Sequence, residues 1–174
     1  MHLYLLRHGV AEEARLGIVD ADRALTSDGR KKLRHVLQTI ADARVKPNLI
    51  FSSHLKRALQ TAQFVGTELG YEAKVEVSKG LAPGADYAAF QQLLNKYSDR
   101  EGVLVVGHNP NLFQFLGRLV TGNGGAAIRL RKGSIARIRM DRPAPILQWL
   151  IDPRTASSIY ASVQKSSRPK TSRK

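Results

Sequence analysis

The chain has 174 residues, 43% of them apolar, no cysteine, and 28 lysines and arginines against 14 acidic residues, for a formal charge of +14. This length suits one domain with a real core, and the lack of cysteine excludes disulfides, thiolate zinc sites and cysteine nucleophiles. No long apolar span or charged-then-apolar leader is found, so a cytoplasmic protein without membrane contact is expected, and the charge favours nucleic acid, acidic proteins or phosphorylated substrates.

The run Leu3-Tyr4-Leu5-Leu6 stops at Arg7-His8-Gly9, which predicts a short buried strand with Arg7 and His8 at its carboxyl end. In open α/β sheets ligands bind at that edge. Arginine offers a fork of donors to phosphate, imidazole acts as nucleophile or base near neutral pH, and glycine lets the backbone turn closely. A phosphate site is the first hypothesis.

A polar loop, 10–23, leads to Thr26, the expected N-cap of a helix reaching about Ala43, with Leu33, Val36, Leu37 and Ile40 on its buried face. Asn48 to Ser53 reads as a second buried strand. His54 to Leu69 has helical spacing closed by Gly70, which puts Arg57 in a first turn where amides and guanidinium converge on an anion. Lys74 to Val77 suits a short edge strand. Asp86 reads as the N-cap of a helix carrying Tyr87, Phe90, Leu93, Leu94 and Tyr97.

Val103 to Val106, then Gly107-His108-Asn109-Pro110, repeats the opening arrangement, and Asn111 starts a helix closed by Gly122. Two strand-end histidines share one crevice if their strands are neighbours. Ile128–Arg131, a Lys132-Gly133 turn and Ser134–Met140 read as a hairpin, with Ala136, Ile138 and Met140 on one face and Arg137 and Arg139 facing solvent or a polyanion. Ile146 to Ile151 completes the sheet.

The domain is expected over 1–153, followed by a basic, serine-rich tail over 154–174. Five basic residues lie within 165–174, and removing them from +14 leaves +9, so the body is itself basic. Tail and hairpin are expected to allow nonspecific nucleic-acid contact; the sequence leaves the oligomeric state open. There is no GxGxxG, Walker sequence or paired-Asp metal motif.

Leu6-Arg7-His8-Gly9, the stretch from Ser53 to Ala62, and Val106-Gly107-His108-Asn109-Pro110 together resemble the histidine phosphatase superfamily. Arg23 to Gly29, the Leu81-Ala82-Pro83-Gly84 loop and Trp149 resemble its small SixA-type phosphohistidine phosphatases. The likeness covers about 1–153. It implies a phosphoglycerate-mutase-like α/β three-layer sandwich, with a mostly parallel central sheet, an antiparallel C-terminal hairpin and helices on both faces.

The resemblance also implies covalent catalysis without metal or cofactor: His8 takes the phosphoryl group, Arg7, Arg57 and His108 neutralise its oxygens, and Arg23, Gly9 and Asn109 bind substrate. Many larger members keep a glutamate ahead of the loop near 81, where this chain has Lys79-Gly80. Asp86 and Glu12 are the remaining candidates for general acid. An alkoxide needs such a donor to depart, whereas an imidazole does not, so the expected substrate is phosphohistidine in a phosphorelay protein. The alternatives are a phosphatase for small or nucleotide monoesters and a non-catalytic phosphate- or nucleic-acid-binding module.

Overall fold

The computed structural model describes residues 1–123, 128–141 and 143–166. Its six strands are β1 (His2–Arg7), β2 (Leu49–Ser52), β3 (Glu76–Val77), β4 (Gly102–Gly107), β5 (Ile135–Arg139) and β6 (Ile146–Ile151). They form one sheet in the order β3-β2-β4-β1-β5-β6, parallel from β3 to β1, with β5 antiparallel to both β1 and β6. The helices are α1 (Ser27–Thr39), α2 (Lys56–Glu68), α3 (Tyr87–Lys96), α4 (Asn111–Thr121) and α5 (Pro153–Ser166).

The central strands are apolar throughout because both their faces are covered. Tyr4 and Leu6 of β1 and Leu104 and Val106 of β4 pack with α1, α2 and α5; Leu3, Leu5, Val103 and Val105 pack with α3 and α4. The expected three-layer α/β sandwich is the architecture observed. Thr26 caps α1, its Oγ1 accepting from Gly29 N at 3.0 Å while donating to Val10 O at 2.9 Å. That second bond ties the helix start to the loop after β1. Gly29 is required there, since a Cβ would collide with the Val10 carbonyl.

Three expectations are corrected. Residues 128–131 form no strand; the antiparallel hairpin is β5 with β6. The cause lies in the backbone's partners: the Leu130 carbonyl accepts from the side chains of Arg7 and Asn109, and Arg131 N donates to Ser134 Oγ, so this segment's polar groups serve the strand-end loops instead of a ladder.

Arg137 does not face solvent: its Nη1 donates to the Ala43 carbonyl at 3.2 Å and its guanidinium lies 5.7 Å from the Tyr4 ring centre. Arg139 pairs with Asp141 at 3.6 Å. The hairpin arginines are therefore turned to partners within the fold.

Nor does the chain leave the body at 154. Asp152 caps α5, its Oδ1 accepting from Arg154 N at 2.8 Å, and Pro153 occupies the first helical position, where its missing N–H costs nothing. Ala156 is fully buried against α1, and the His35 ring stacks on Tyr160 at 4.3 Å and bonds Ser157 Oγ at 3.0 Å. The serines of this segment hid the sparse contact stripe that holds it. The remainder of the expected tail, 167–174, lies outside the described residues.

Ala156→Leu should overpack the α1–α5 contact and destabilise the protein by about 1–3 kcal/mol, read as a lowered urea midpoint with unchanged slope. An unaltered midpoint would mean that α5 contributes nothing to the folded state.

Candidate active site

The parallel register of β1 and β4 places Arg7 opposite Gly107, so the next residue of each strand, His8 and His108, leaves the sheet beside the other. His8 N donates to Gly107 O at 3.1 Å, and the two ring centres lie 4.9 Å apart with their planes tilted by 47°. Both side chains are buried, at 5% and 4% exposure. The shared crevice expected from the two strand-end histidines is present.

His8 Nδ1 lies 2.8 Å from the Gly9 carbonyl. A carbonyl only accepts, so Nδ1 carries the proton and Nε2 presents its lone pair. Burial, followed by the charges of His108, Arg57 and Arg7, pushes the His8 pKa down to about 3, overcoming the Gly9 bond, which acts the other way. The ring is neutral at pH 7, as a nucleophile must be.

Gly9 holds this geometry from behind. Its N–H donates to Thr61 Oγ1 at 3.0 Å, and a Cβ would stand 2.6 Å from Leu25 Cδ1. Gly9 thus acts through backbone and packing, and Thr61 is its anchor, itself donating to the Arg57 carbonyl at 2.6 Å.

His108 Nε2 shares a hydrogen bond of 2.6 Å with Ser53 Oγ. Leu55 N also donates to that hydroxyl, at 3.3 Å, so Ser53 ties the ring of His108 to the start of α2. Burial first, then Arg57, lowers the His108 pKa to about 4, opposed by Asp20. His54 stands exposed nearby and adds to the lowering. Ser53 was visible in the sequence only as a strand-ending serine; its role follows from the β2–β4 neighbourhood.

Arg7 reaches across the end of the sheet, with Nη1 donating to Leu130 O at 2.8 Å, and Asn109 Nδ2 donates to the same carbonyl at 2.9 Å. Arg57 is buried at 6% exposure in the first turn of α2. Its Nη1 donates to the Asp20 carbonyl at 2.7 Å and its Nη2 to the Asp20 carboxylate at 3.0 Å. The other Asp20 oxygen accepts from Arg23 Nη1 at 3.1 Å.

Asp20, in a short 3-10 turn of the loop after β1, therefore bridges the two arginines expected to bind phosphate. The Arg57 hydrogen bond holds its carboxyl below the usual carboxylate range. The sequence signal for it was no more than an acidic residue three positions before Arg23.

The two acid candidates are each held by a backbone amide. Asp86 Oδ1 accepts from Ala89 N at 2.8 Å as the cap of α3, and Glu12 Oε2 accepts from Ala24 N at 3.0 Å within its own loop. Asp86 is fixed by the capping geometry, Glu12 by the Ala11–Leu25 bridge beside it. Neither forms a hydrogen bond with His8 or His108 among the described residues.

Six buried side-chain polar atoms lack a partner among the described residues, and five belong here: Nε of Arg7, Arg23 and Arg57, Nδ1 of His108 and Oδ1 of Asn109. Buried donors are normally satisfied. The three arginine Nε–H groups, from the end of β1, the following loop and α2, are donors of the kind that suit a multiply charged oxyanion, and preorganised donors stabilise charge that develops in phosphoryl transfer. No three His, Asp or Glu side chains among the described residues stand close enough to hold a metal ion.

The model of the histidine phosphatase superfamily (branch 1) matches residues 3–82. An uncharacterized protein of Picosynechococcus sp. is 32% identical over 142 residues, which are 80% of this chain and 85% of that one. The chain belongs to the histidine phosphatase superfamily, and phosphatase chemistry of the hydrolase class is what this membership assigns to it.

Among solved structures, the protein histidine phosphatase SixA complexed with tungstate superposes with a TM-score of 0.80 at 24% identity, covering 89% of this chain and 99% of its own. A SixA-type structure from Agrobacterium tumefaciens gives 0.75 at 25% identity, covering 87% and 97%. The α-ribazole phosphatase of Shigella flexneri shares the fold at 0.71 and 19% identity, covering 88% and 97%. The resemblance to SixA-type proteins drawn from the motifs extends to the whole sandwich.

Two outcomes follow. Asp20→Ala should release Arg57 and Arg23 and tighten binding of orthovanadate by about tenfold, because the anion no longer has to displace a carboxylate; weaker vanadate binding in a calorimeter would show that Asp20 instead supports the anion site. The pH profile of kcat/KM, corrected for ionisation of an aryl phosphate substrate, should show no acid limb at the ordinary histidine value of 6.5. Lowered pKa values keep both rings neutral further into acid, so the limb belongs near 4. A midpoint near 6.5 would contradict the neutral, buried pair.

Proposed function

We propose that the chain hydrolyses phosphohistidine in proteins through a phosphoryl group carried on His8. The observation behind this reading is the hydrogen bonding of the site's titratable groups. The nucleophile is neutral with a fixed Nδ1–H, and the carboxylate at the arginines, Asp20, is held ionised, while Glu12 and Asp86 are committed elsewhere.

In the first step His8 Nε2 forms a bond to phosphorus as the substrate's P–N bond breaks. The electron pair of that bond goes to the substrate nitrogen, and a substrate imidazole protonated on its far nitrogen leaves neutral. No enzyme acid takes part. In the second step water attacks the phosphoryl group, the His8 N–P bond breaks, and His8 is regenerated as the same neutral tautomer because its proton has stayed on Nδ1, donated to the Gly9 carbonyl, throughout. The water's proton passes to phosphate or solvent. Arg7, Arg57 and His108 stabilise the equatorial oxygens in both steps.

An alkyl phosphate asks more of this site, since its leaving oxygen needs a proton. The deciding measurement is a panel of a phosphohistidine protein, an aryl phosphate and a sugar phosphate, each with wild type, Asp86→Asn and Glu12→Gln, in the presence and absence of chelator. Phosphohistidine should be strongly preferred over the sugar phosphate, and neither substitution nor chelator should slow its turnover. A loss of about a hundredfold in one variant confined to the sugar phosphate, together with poor use of phosphohistidine, would replace this reading with a small-molecule phosphatase whose general acid is the residue concerned.

A further inference from the structure

Beside the imidazole pair, and sharing Arg7 and Asn109 with it, runs a groove of about 630 Å³ between the 129–132 segment, α1 and the start of α5. Its walls carry six cationic side chains, Arg7, Lys32, Arg129, Arg131, Lys132 and Arg154, and no acidic residue lines it. Arg131 is paired with Asp152 at 3.1 Å and Lys32 with Asp28 at 2.6 Å. The side chains of Arg129, Lys132 and Arg154 are exposed and have no acidic partner among the described residues. Three free cations with no counter-charge among them repel one another, a cost that a fold retains where an external anion relieves it.

The chemistry of the walls narrows the anion. A cradle for a second small phosphate would use buried donors held in fixed positions, as Arg57 is held at the catalytic end; Arg129, Lys132 and Arg154 are exposed, on long side chains, and spread over two walls. Single-stranded nucleic acid binds where bases stack on aromatic rings between cations, and none of the lining residues is aromatic. Carboxylates distributed along an extended or helical protein surface match spread, mobile cations without demanding fixed geometry.

We propose that this groove docks an acidic segment of the protein substrate flanking its phosphorylated residue, so that Arg129, Lys132 and Arg154 select acidic phosphoproteins. The identity of the partner as a phosphoprotein rests on the function proposed above, whereas the groove's preference for acidic peptide does not. Because the groove meets the catalytic pocket at Arg7, a segment lying in it continues directly towards His8. Contacts of exposed charges of this kind act mainly on encounter rate and are screened by salt.

The test uses a short glutamate-rich peptide and a single-stranded oligonucleotide as competing ligands during hydrolysis of an aryl phosphate, so it does not depend on phosphohistidine being the substrate. The peptide should inhibit the wild type competitively and lose potency by about tenfold in the triple variant Arg129→Glu, Lys132→Glu, Arg154→Glu, with the effect fading at high salt. A second triple variant, Lys46→Glu, Lys74→Glu, Arg100→Glu, makes the same change of charge on exposed positions outside the groove lining and should keep the inhibition. Thermal melts verify that both variants are folded. Equal loss of inhibition in both variants, no inhibition of the wild type, or tighter inhibition by the oligonucleotide would each overturn the proposal. In a parallel arm, two phosphohistidine peptides with acidic and uncharged flanks should differ in kcat/KM in favour of the acidic one; turnover of neither, with the groove-dependent inhibition intact, would remove the phosphohistidine reading and leave the groove standing.

Discussion

The parallel pairing of β1 with β4 is the constraint on which the rest of the site depends. It sets two imidazoles side by side at the end of a sheet that is dry on both faces. Burial there disfavours protonation of either ring, and each ring with the arginines around it disfavours it further. An isolated, solvated histidine would be partly protonated near neutrality and partly useless as a nucleophile. The neutral state thus follows from where the strands end, before any substrate is considered, and the Gly9 carbonyl chooses which nitrogen remains free.

The same burial creates a difficulty with Arg57, whose guanidinium is almost wholly enclosed and always charged. An unpaired cation in that position would be expensive. Asp20 resolves this from an exposed loop, offering both its carbonyl and its carboxylate to Arg57 while also holding Arg23. Since Asp20 itself remains largely in water, its grip costs little to release. A phosphoryl group bringing two charges can take its place, so the arginines stay paired with an anion in either state.

Much of this was legible in the sequence because its causes are local. Continuous apolar runs ending in glycine marked β1 and β4, helical spacing marked α1 to α4, and the caps at Thr26 and Asp86 fall where their side chains accept the expected amides. Arg7, His8 and His108 meet because β1 and β4 are neighbours, and Arg57 joins them from the first turn of α2, which follows β2 beside β4. What was not legible depends on long-range partners. Ser53 becomes a partner of His108 only through the adjacency of β2 and β4, Asp20 faces Arg57 only after the loop folds back, and Arg137 lies over Tyr4 only because β5 pairs with β1. The false strand at 128–131 has the same origin, because its alternating pattern was genuine but the Leu130 carbonyl was claimed by side chains from elsewhere.

That carbonyl joins the end of β1 to the basic groove. Arg7 and Asn109 both donate to Leu130 O, which fixes these two side chains to a segment whose neighbours, Arg129, Arg131 and Lys132, line the basic groove. Arg131 is in turn anchored to Asp152, the residue that caps α5, and Arg154 of that helix forms part of the opposite wall. Had 128–131 been a strand, its carbonyls would have been spent on a ladder, and neither Arg7 nor the groove wall would have the support it has.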